Sequence, residues 1–254
     1  MALREEFEAT GNWLFRRRGF LPLLLLPAVF AALKGFRYPA GSHQLDQFWE
    51  AACVLVSLLG LGIRVATVGF AEPGTSGRNR REQMAATLNT TGMYSLVRHP
   101  LYLANYLIWL GVAAFPRVWW SPVLVTLVFW LYYERIMFAE EEFLYRRFGT
   151  TFSVWAANTP AFLPRRLRWQ PPAGAFSTQR VMRSEYSGLF LLVLSFTALE
   201  LAGDFAHTGK LVVDPVWAAA FTVTAILCAF LRWLRHRSAA DPHPKSAHFP
   251  KRAR

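Results

Sequence analysis

Six apolar runs alternate with polar segments along the chain. They cover Phe20–Phe36, Phe48–Phe70, Leu101–Phe115, Trp119–Phe138, Tyr186–Leu201 and Pro215–Leu234. At 1.5 Å per residue, about twenty residues cross the ~30 Å hydrocarbon core of a bilayer. The second run is long enough to span; the first and third are short. The pattern predicts an all-α, polytopic integral membrane protein with about six transmembrane helices. The first run also reads as a signal-peptide core, since Ala31 and Ala32 follow its leucines. Against that, Glu5, Glu6 and Glu8 make a poor signal n-region. Between the runs lie a polar loop, Ala71–Val97, with Gly74, Gly77 and Gly92, and a polar segment, Ala139–Glu185. In the latter, Phe143, Leu144, Phe148 and Phe152 recur at three- and four-residue spacing, which predicts an amphipathic helix over Glu140–Ala157. The chain divides into an N-terminal segment with the first helix (1–47), a core (48–164), a linker (165–185), two further helices (186–234) and a basic, Pro-containing tail (235–254), expected to be disordered.

Charge orients this pattern. The 254 residues are 54% hydrophobic yet carry a formal charge of +12. Lys and Arg number four at the N-terminus, four in the 71–98 loop, eight in the 134–185 segment and seven from Arg232 onward. The alternate connections hold two, one and one. That bias predicts cytoplasmic termini and places the 71–98 and 134–185 segments on the same, cytoplasmic side. The basic residues lie between apolar runs rather than on one patch, which argues against a nucleic-acid partner. The excess suits the bilayer and an anionic lipid. Cys53 and Cys228 fall inside apolar runs, so neither a disulfide framework nor a metal site is expected.

Candidate chemistry gathers around the third run. Arg98, His99 and Pro100 precede Leu101 directly. Proline is favoured in the first turn of a helix, so Arg98 and His99 are placed at its positive end, which suits an anionic group. Glu140, Glu141 and Glu142 end the fourth run. If runs three and four form a hairpin, the His and the Glu cluster meet at one membrane face, in reach of a soluble cofactor. The plainer alternatives are a snorkelling Arg, a capping His and a solvated acidic turn. Arg64 sits well inside a run, where charge is costly and often functional; its alternative is an Arg reaching for headgroups. Tyr94, Tyr102 and Asn105 are candidate lining groups.

These residues carry a resemblance. Gly92–x–Tyr94–x–x–Val97–Arg98–His99–Pro100–x–Tyr102, then Glu140–Glu141–x–x–Leu144–x–x–x–Phe148–Gly149, then Thr159–Pro160–x–Phe162–x–Pro164 resemble the isoprenylcysteine carboxyl methyltransferase and phospholipid methyltransferase superfamily. Gly60 and Arg64 match its Gly–x–x–x–Arg. Met93 stands where that family usually has Pro, and Ala104 where it usually has Gly. Gly74–Asn79, Leu88–Gly92 and the N-terminal Gly11–Arg16 stretch resemble, more narrowly, bacterial lipid A 1-phosphate methyltransferases of the inner membrane. The resemblance implies S-adenosylmethionine as methyl donor, with Tyr94, Arg98, His99, Pro100, Tyr102, Asn105, Glu140 and Glu141 around it. Arg64, Arg78, Arg80 and Arg81 are the candidates for the acceptor's anion, and Arg135 with Arg98 for catalysis; a plain positive-inside anchor is the alternative for Arg135. No metal is implied.

Methyl transfer from a sulfonium is an in-line displacement. The expected acceptor is the phosphate of a membrane glycolipid, with a prenylcysteine carboxylate or a phospholipid amine as the alternatives; a phosphate monoester or carboxylate is already ionised at neutral pH, so the protein must chiefly align donor and acceptor. Two other classes compete. An NADPH-dependent sterol-reductase-like enzyme shares an Arg-His-Pro segment, but its further acidic and cysteine signatures are not found here. A six-helix transporter or scaffold predicts polar residues at mid-span in several helices.

Overall fold

A computed structural model describes residues 2–19, 21–35, 43–71, 85–165, 168–172, 174–211 and 213–240. Eight α-helices and no strand occur among them: α1 (Leu3–Arg17), α2 (Leu26–Ala32), α3 (His43–Phe70), α4 (Pro100–Ala114), α5 (Trp120–Phe148), α6 (Thr150–Asn158), α7 (Thr178–Thr208) and α8 (Pro215–Ala240). The all-α expectation holds. Four of the helices, α3, α5, α7 and α8, are long and apolar enough to cross a membrane. Two shorter apolar helical stretches, Leu23–Gly35 and Pro100–Ala114, accompany them. Leu55, Leu59, Leu127, Leu131, Leu191 and Ile226 point outward from the long helices. Such a surface suits lipid rather than water.

Several boundaries move for identifiable reasons. The first apolar run is broken into a 3-10 turn (Leu21–Leu25), α2, and a second 3-10 turn. Pro22 and Pro27 lack the N–H that a continuous helix needs. The polar N-terminus is folded as α1, antiparallel to the end of α5. Arg4 bonds Glu142 at 2.6 Å, Phe7 meets Phe138 edge-on, and the Tyr132 hydroxyl donates to the Leu14 carbonyl. The expected helix over Glu140–Ala157 is two pieces. Its first part is the end of α5, and Gly149, at φ 54°, separates it from α6. That positive φ suits glycine. The linker shortens too, since α7 starts at Thr178, where Ser177 Oγ accepts the Arg180 amide. The proposed tail begins as the last residues of α8, and 241–254 lie outside the described residues.

The α3–α4 pair makes the most extensive contact in the bundle. A Cβ on Gly60 would sit 2.5 Å from the Ala104 carbonyl oxygen, so glycine lets the backbones approach. Two cores stack along the helices. One, toward the α4–α5 turn, is built from Val29, Leu33, Val112, Phe115, Val125, Phe196 and Leu199. The other, toward the start of α4, is aromatic: Phe15, Tyr102, Phe129, Tyr133 and Phe162 with Ile136 and Met137. The α7 helix is pinned to the end of α3, where Ser177 N–H bonds the Gly69 carbonyl and Arg180 reaches the Ala71 carbonyl. The α8 helix lies mainly along α7.

Candidate functional site

Pro100 opens α4, as its fixed φ favours. The two residues before it are held by the segment after α6. The Arg98 amide donates to the Pro160 carbonyl (2.9 Å) and the His99 amide to Ala161 (3.1 Å). The Thr159–Pro164 motif therefore serves as a backbone rest for the start of α4. Phe162 anchors it against Tyr106, Phe129 and Trp130. With the backbone fixed, the side chains turn toward α5.

There the hairpin closes as expected. His99 Nε2 lies 2.8 Å from Glu141 Oε1, and Arg98 Nε lies 3.0 Å from the same oxygen. Arg98 Nη1 also donates to the Ala156 carbonyl. The Tyr102 hydroxyl donates to Glu140 Oε2 at 2.8 Å, and His99 Nδ1 is 3.7 Å from that oxygen. His99 is 5% exposed, whereas the Glu140 and Glu141 side chains keep 32% and 26%. A buried ring thus backs two carboxylates that still face outward. Charge-assisted bonds of this kind are roughly twice as strong as neutral ones and fix the side chains that make them.

Tyr94 lies in the 3-10 turn Gly92–Ser95, within electrostatic reach of Glu140. Burial of its hydroxyl, with the Glu140 carboxylate adding, raises it above the usual phenol range. Gly92 takes φ 60°, and its N–H donates to the Gln170 carbonyl. Tyr94 also lines a small cleft between the end of α3 and this turn, with Thr67, Phe70, Asn89 and Pro172.

Deeper, Asn105 joins Arg64: Arg64 Nη1 donates to Asn105 Oδ1 at 2.6 Å. Two further Arg64 donors go to Glu185, Nε to Oε2 at 2.7 Å and Nη2 to Oε1 at 3.1 Å. Arg64 is therefore paired with Glu185 and Asn105, and its side chain stays 25% exposed. Arg135 sits apart, its guanidinium 4.4 Å over the Phe7 ring at the α1–α5 contact. Arg78, Arg80 and Arg81 lie outside the described residues. Ala104 is fully buried at the α3–α4 contact.

Four residues escaped the sequence reading. Glu185 was assigned to the linker; an acid beside an apolar run, opposite in sign to Arg64, was its signal. Tyr133 looked like one more aromatic in a run. Arg18 acts electrostatically on the Tyr102, Tyr132 and Tyr133 hydroxyls from the end of α1. The Trp155 indole N–H is buried with no partner among the described residues, on the helix that receives Arg98. Neither of these two has a sequence signal.

Comparison with known proteins adds identity to this geometry. The phospholipid methyltransferase family model matches residues 52–151, a stretch that contains Arg98, His99, Glu140 and Glu141. The cobalt-zinc-cadmium resistance protein CzcN of Cupriavidus metallidurans is 32% identical over 203 residues, 77% of this chain and 88% of that protein. The nickel-cobalt-cadmium resistance protein NccN of Alcaligenes xylosoxydans is 36% identical over 127 residues, 49% of this chain and about half (56%) of that protein. A protein-S-isoprenylcysteine O-methyltransferase of Schizosaccharomyces pombe is 30% identical over 77 residues, 30% of this chain and 33% of that protein. No solved structure matches. The matched stretch runs from α3 to the start of α6 and carries the whole His–Glu mouth, so the chain belongs to the isoprenylcysteine carboxyl methyltransferase and phospholipid methyltransferase superfamily of membrane methyltransferases.

Proposed function

We propose that this membrane methyltransferase uses S-adenosylmethionine to methylate the phosphate of a membrane glycolipid, the 1-phosphate of lipid A, from the cytoplasmic face. The observation that carries the reading is the pair of partly exposed carboxylates, Glu140 and Glu141, fixed beside buried His99 at the mouth of α4 and α5. The donor set fits the cofactor. Carboxylate oxygens suit its ammonium and ribose hydroxyls. The Arg98 guanidinium and the positive end of α4 suit its carboxylate. Trp155 and Tyr94 add a buried N–H and an O–H that stays protonated at neutral pH. When bound, the cofactor supplies an electrophilic methyl group on a sulfonium.

The protein's own part is placement. Tyr102 and His99 hold Glu140 and Glu141 in single orientations before anything binds, so little ordering remains to be done on binding. The Thr159–Phe162 rest stops the start of α4 from moving. The acceptor phosphate needs no general base, so no proton transfer is assigned. Alignment alone is worth up to about 7–11 kcal/mol in favourable cases.

For the acceptor, three points support a lipid phosphate. Membrane helices wall the mouth, so an acyl-anchored molecule reaches it sideways. Arg matches phosphate oxygens through its planar fork; Arg64, Arg78, Arg80, Arg81 and Arg135 are the candidates, and Arg18 acts electrostatically on the tyrosines. The third is chemical. Methylating a phosphate monoester removes one ionisable proton and lowers the negative charge of the lipid. A less anionic membrane attracts fewer divalent cations, which links the reaction to the metal resistance in the relatives' names. The test is purified protein with labelled S-adenosylmethionine, offered lipid A and a prenylcysteine in parallel. Label on lipid A is the expected result. Label on the prenylcysteine alone rejects the phosphate and favours carboxyl methylation.

A further inference from the structure

Arg64, Asn105, Tyr133 and Glu185 come from four helices and meet in one chain of hydrogen bonds. Arg64, Asn105 and Glu185 lie about one and a half to two turns inside their helix ends, and Tyr133 lies near the middle of α5. The order of bonds has a direction. A guanidinium only donates, so Arg64 Nη1 at 2.6 Å must face Asn105 Oδ1. The amide's Nδ2 is then turned to Tyr133 and donates to its hydroxyl oxygen at 3.3 Å. A phenol that accepts at its oxygen has its own hydrogen left over. That hydrogen goes to no acceptor among the described residues, although Tyr133 is only 3% exposed. Buried donors are nearly always paired, so this one calls for a partner.

Its surroundings name the partner's chemistry. The Tyr133 ring is 4.8 Å from that of Tyr102, whose hydroxyl holds Glu140 at the mouth. Arg64 and Arg18 both act electrostatically on the Tyr133 hydroxyl. One unmet O–H donor, with the Arg18 cation and the Arg64–Glu185 pair around it, favours an oxygen acceptor. Glu185 makes the arrangement affordable at this depth: it is 5% exposed and binds Arg64 through both carboxylate oxygens. It lies outside the family-matched stretch, on the first of the two appended helices.

We infer that Tyr133 donates its hydroxyl proton to an oxygen of the bound ligand at the floor of the site, and that Glu185 is a positioning residue, setting Tyr133 through Arg64 and Asn105. This rests on the methyltransferase reading given above. The oxygen belongs either to the cofactor or to the lipid acceptor, and the measurement separates them.

The experiment uses the full chain in detergent. Calorimetry gives Kd for S-adenosylmethionine. Labelled turnover gives kcat and KM for whichever of lipid A and prenylcysteine accepts the label. Thermal unfolding controls for folding. Tyr133→Phe is expected to fold and to weaken one parameter about tenfold: Kd if the oxygen is the cofactor's, KM for the acceptor if it is the lipid's. Asn105→Asp keeps the bond from Arg64 but makes Tyr133 donate to the new carboxylate. It should reproduce the Tyr133→Phe loss in the same parameter, which a merely structural Asn would not do. Glu185→Gln should move that parameter the same way, with Glu185→Asp recovering part. If Glu185→Gln does not fold, the other two variants decide. Folded Tyr133→Phe and Asn105→Asp proteins with unchanged Kd, kcat and KM overturn the inference while leaving the methyltransferase reading intact. A wild-type chain that binds no S-adenosylmethionine and transfers no label overturns both.

Discussion

The two ends of α4 carry the same kinds of charged residue and use them differently. At its C-terminal end Arg117 pairs with Asp46 and Glu50 of α3, and the three side chains are 6%, 6% and 14% exposed. At its N-terminal end Arg98, Glu141 and Glu140 keep 19%, 26% and 32%. The Arg117 group closes a turn whose backbone is itself constrained, at φ 61°. It sits on an apolar core in which Phe115 and Phe196 pack with aliphatic side chains and no tyrosine is among the buried members. The mouth sits on tyrosines whose hydroxyls continue the polar network inward. An ion pair at a helix end is therefore no mark of a site. The mark is a carboxylate fixed from behind while its front stays open.

The largest expected effect breaks the closed end. Arg117→Leu leaves Asp46 and Glu50 buried without their cation, which costs about 3–5 kcal/mol of stability. Thermal or denaturant unfolding in detergent would report it, and the folded fraction should bind S-adenosylmethionine with unchanged affinity. Weakened binding at full stability would make the two ends one functional unit. The next effect belongs to the mouth. His99→Ala and Glu141→Gln should each lower S-adenosylmethionine affinity by about a hundredfold, roughly 2.7 kcal/mol, with a smaller change in melting temperature than Arg117→Leu. Unchanged calorimetric affinity in both variants would remove the cofactor from this mouth.

How far was this legible beforehand? The mouth was, because local rules place it. Pro100 fixes where α4 begins, and a short hairpin brings Arg98–His99 to Glu140 and Glu141, while Glu142 turns to Arg4. The floor was not. Tyr133 and Glu185 become functional only through contacts between helices far apart in sequence, and each has an ordinary explanation where it stands. Arg64 was visible as a charge at membrane depth, but its partner lies 121 residues away. The N-terminal helix was missed because its apolar face, Phe7, Gly11, Leu14 and Phe15, is interrupted by charges, and Arg4 and Glu8 find their partners on α5, far along the chain. The broken first run and the Gly149 break were readable in Pro22, Pro27 and the glycine itself.

A smaller effect sharpens the comparison by moving both ends at once. Gly60 faces α4 between the mouth and the closed end, against the Ala104 carbonyl and Ile108. Gly60→Ala pushes α3 from α4, and overpacking of this kind costs about 2 kcal/mol. It should also shift Arg64 against Asn105 and so slow turnover more than it weakens cofactor binding. A variant with normal turnover and lowered stability would mean that the floor tolerates displacement.

The smallest effect concerns pH and separates burial from charge at the mouth. The Tyr94 hydroxyl is raised above the ordinary value near 10, first by burial and then by the Glu140 carboxylate. Its unfolded form therefore ionises before its folded form. The stabilisation from keeping Tyr94 neutral is complete below about pH 10 and is lost as pH rises toward the folded value. Unfolding of the cofactor-free chain, measured from about pH 8 to pH 11, should steepen above pH 10. Tyr94→Phe cannot ionise and should flatten that limb. Glu140→Gln removes only the lesser cause, so most of the slope should remain. If Glu140→Gln flattens the limb as fully as Tyr94→Phe does, the carboxylate dominates, and the mouth is governed by its charges rather than by the depth at which the tyrosine is set.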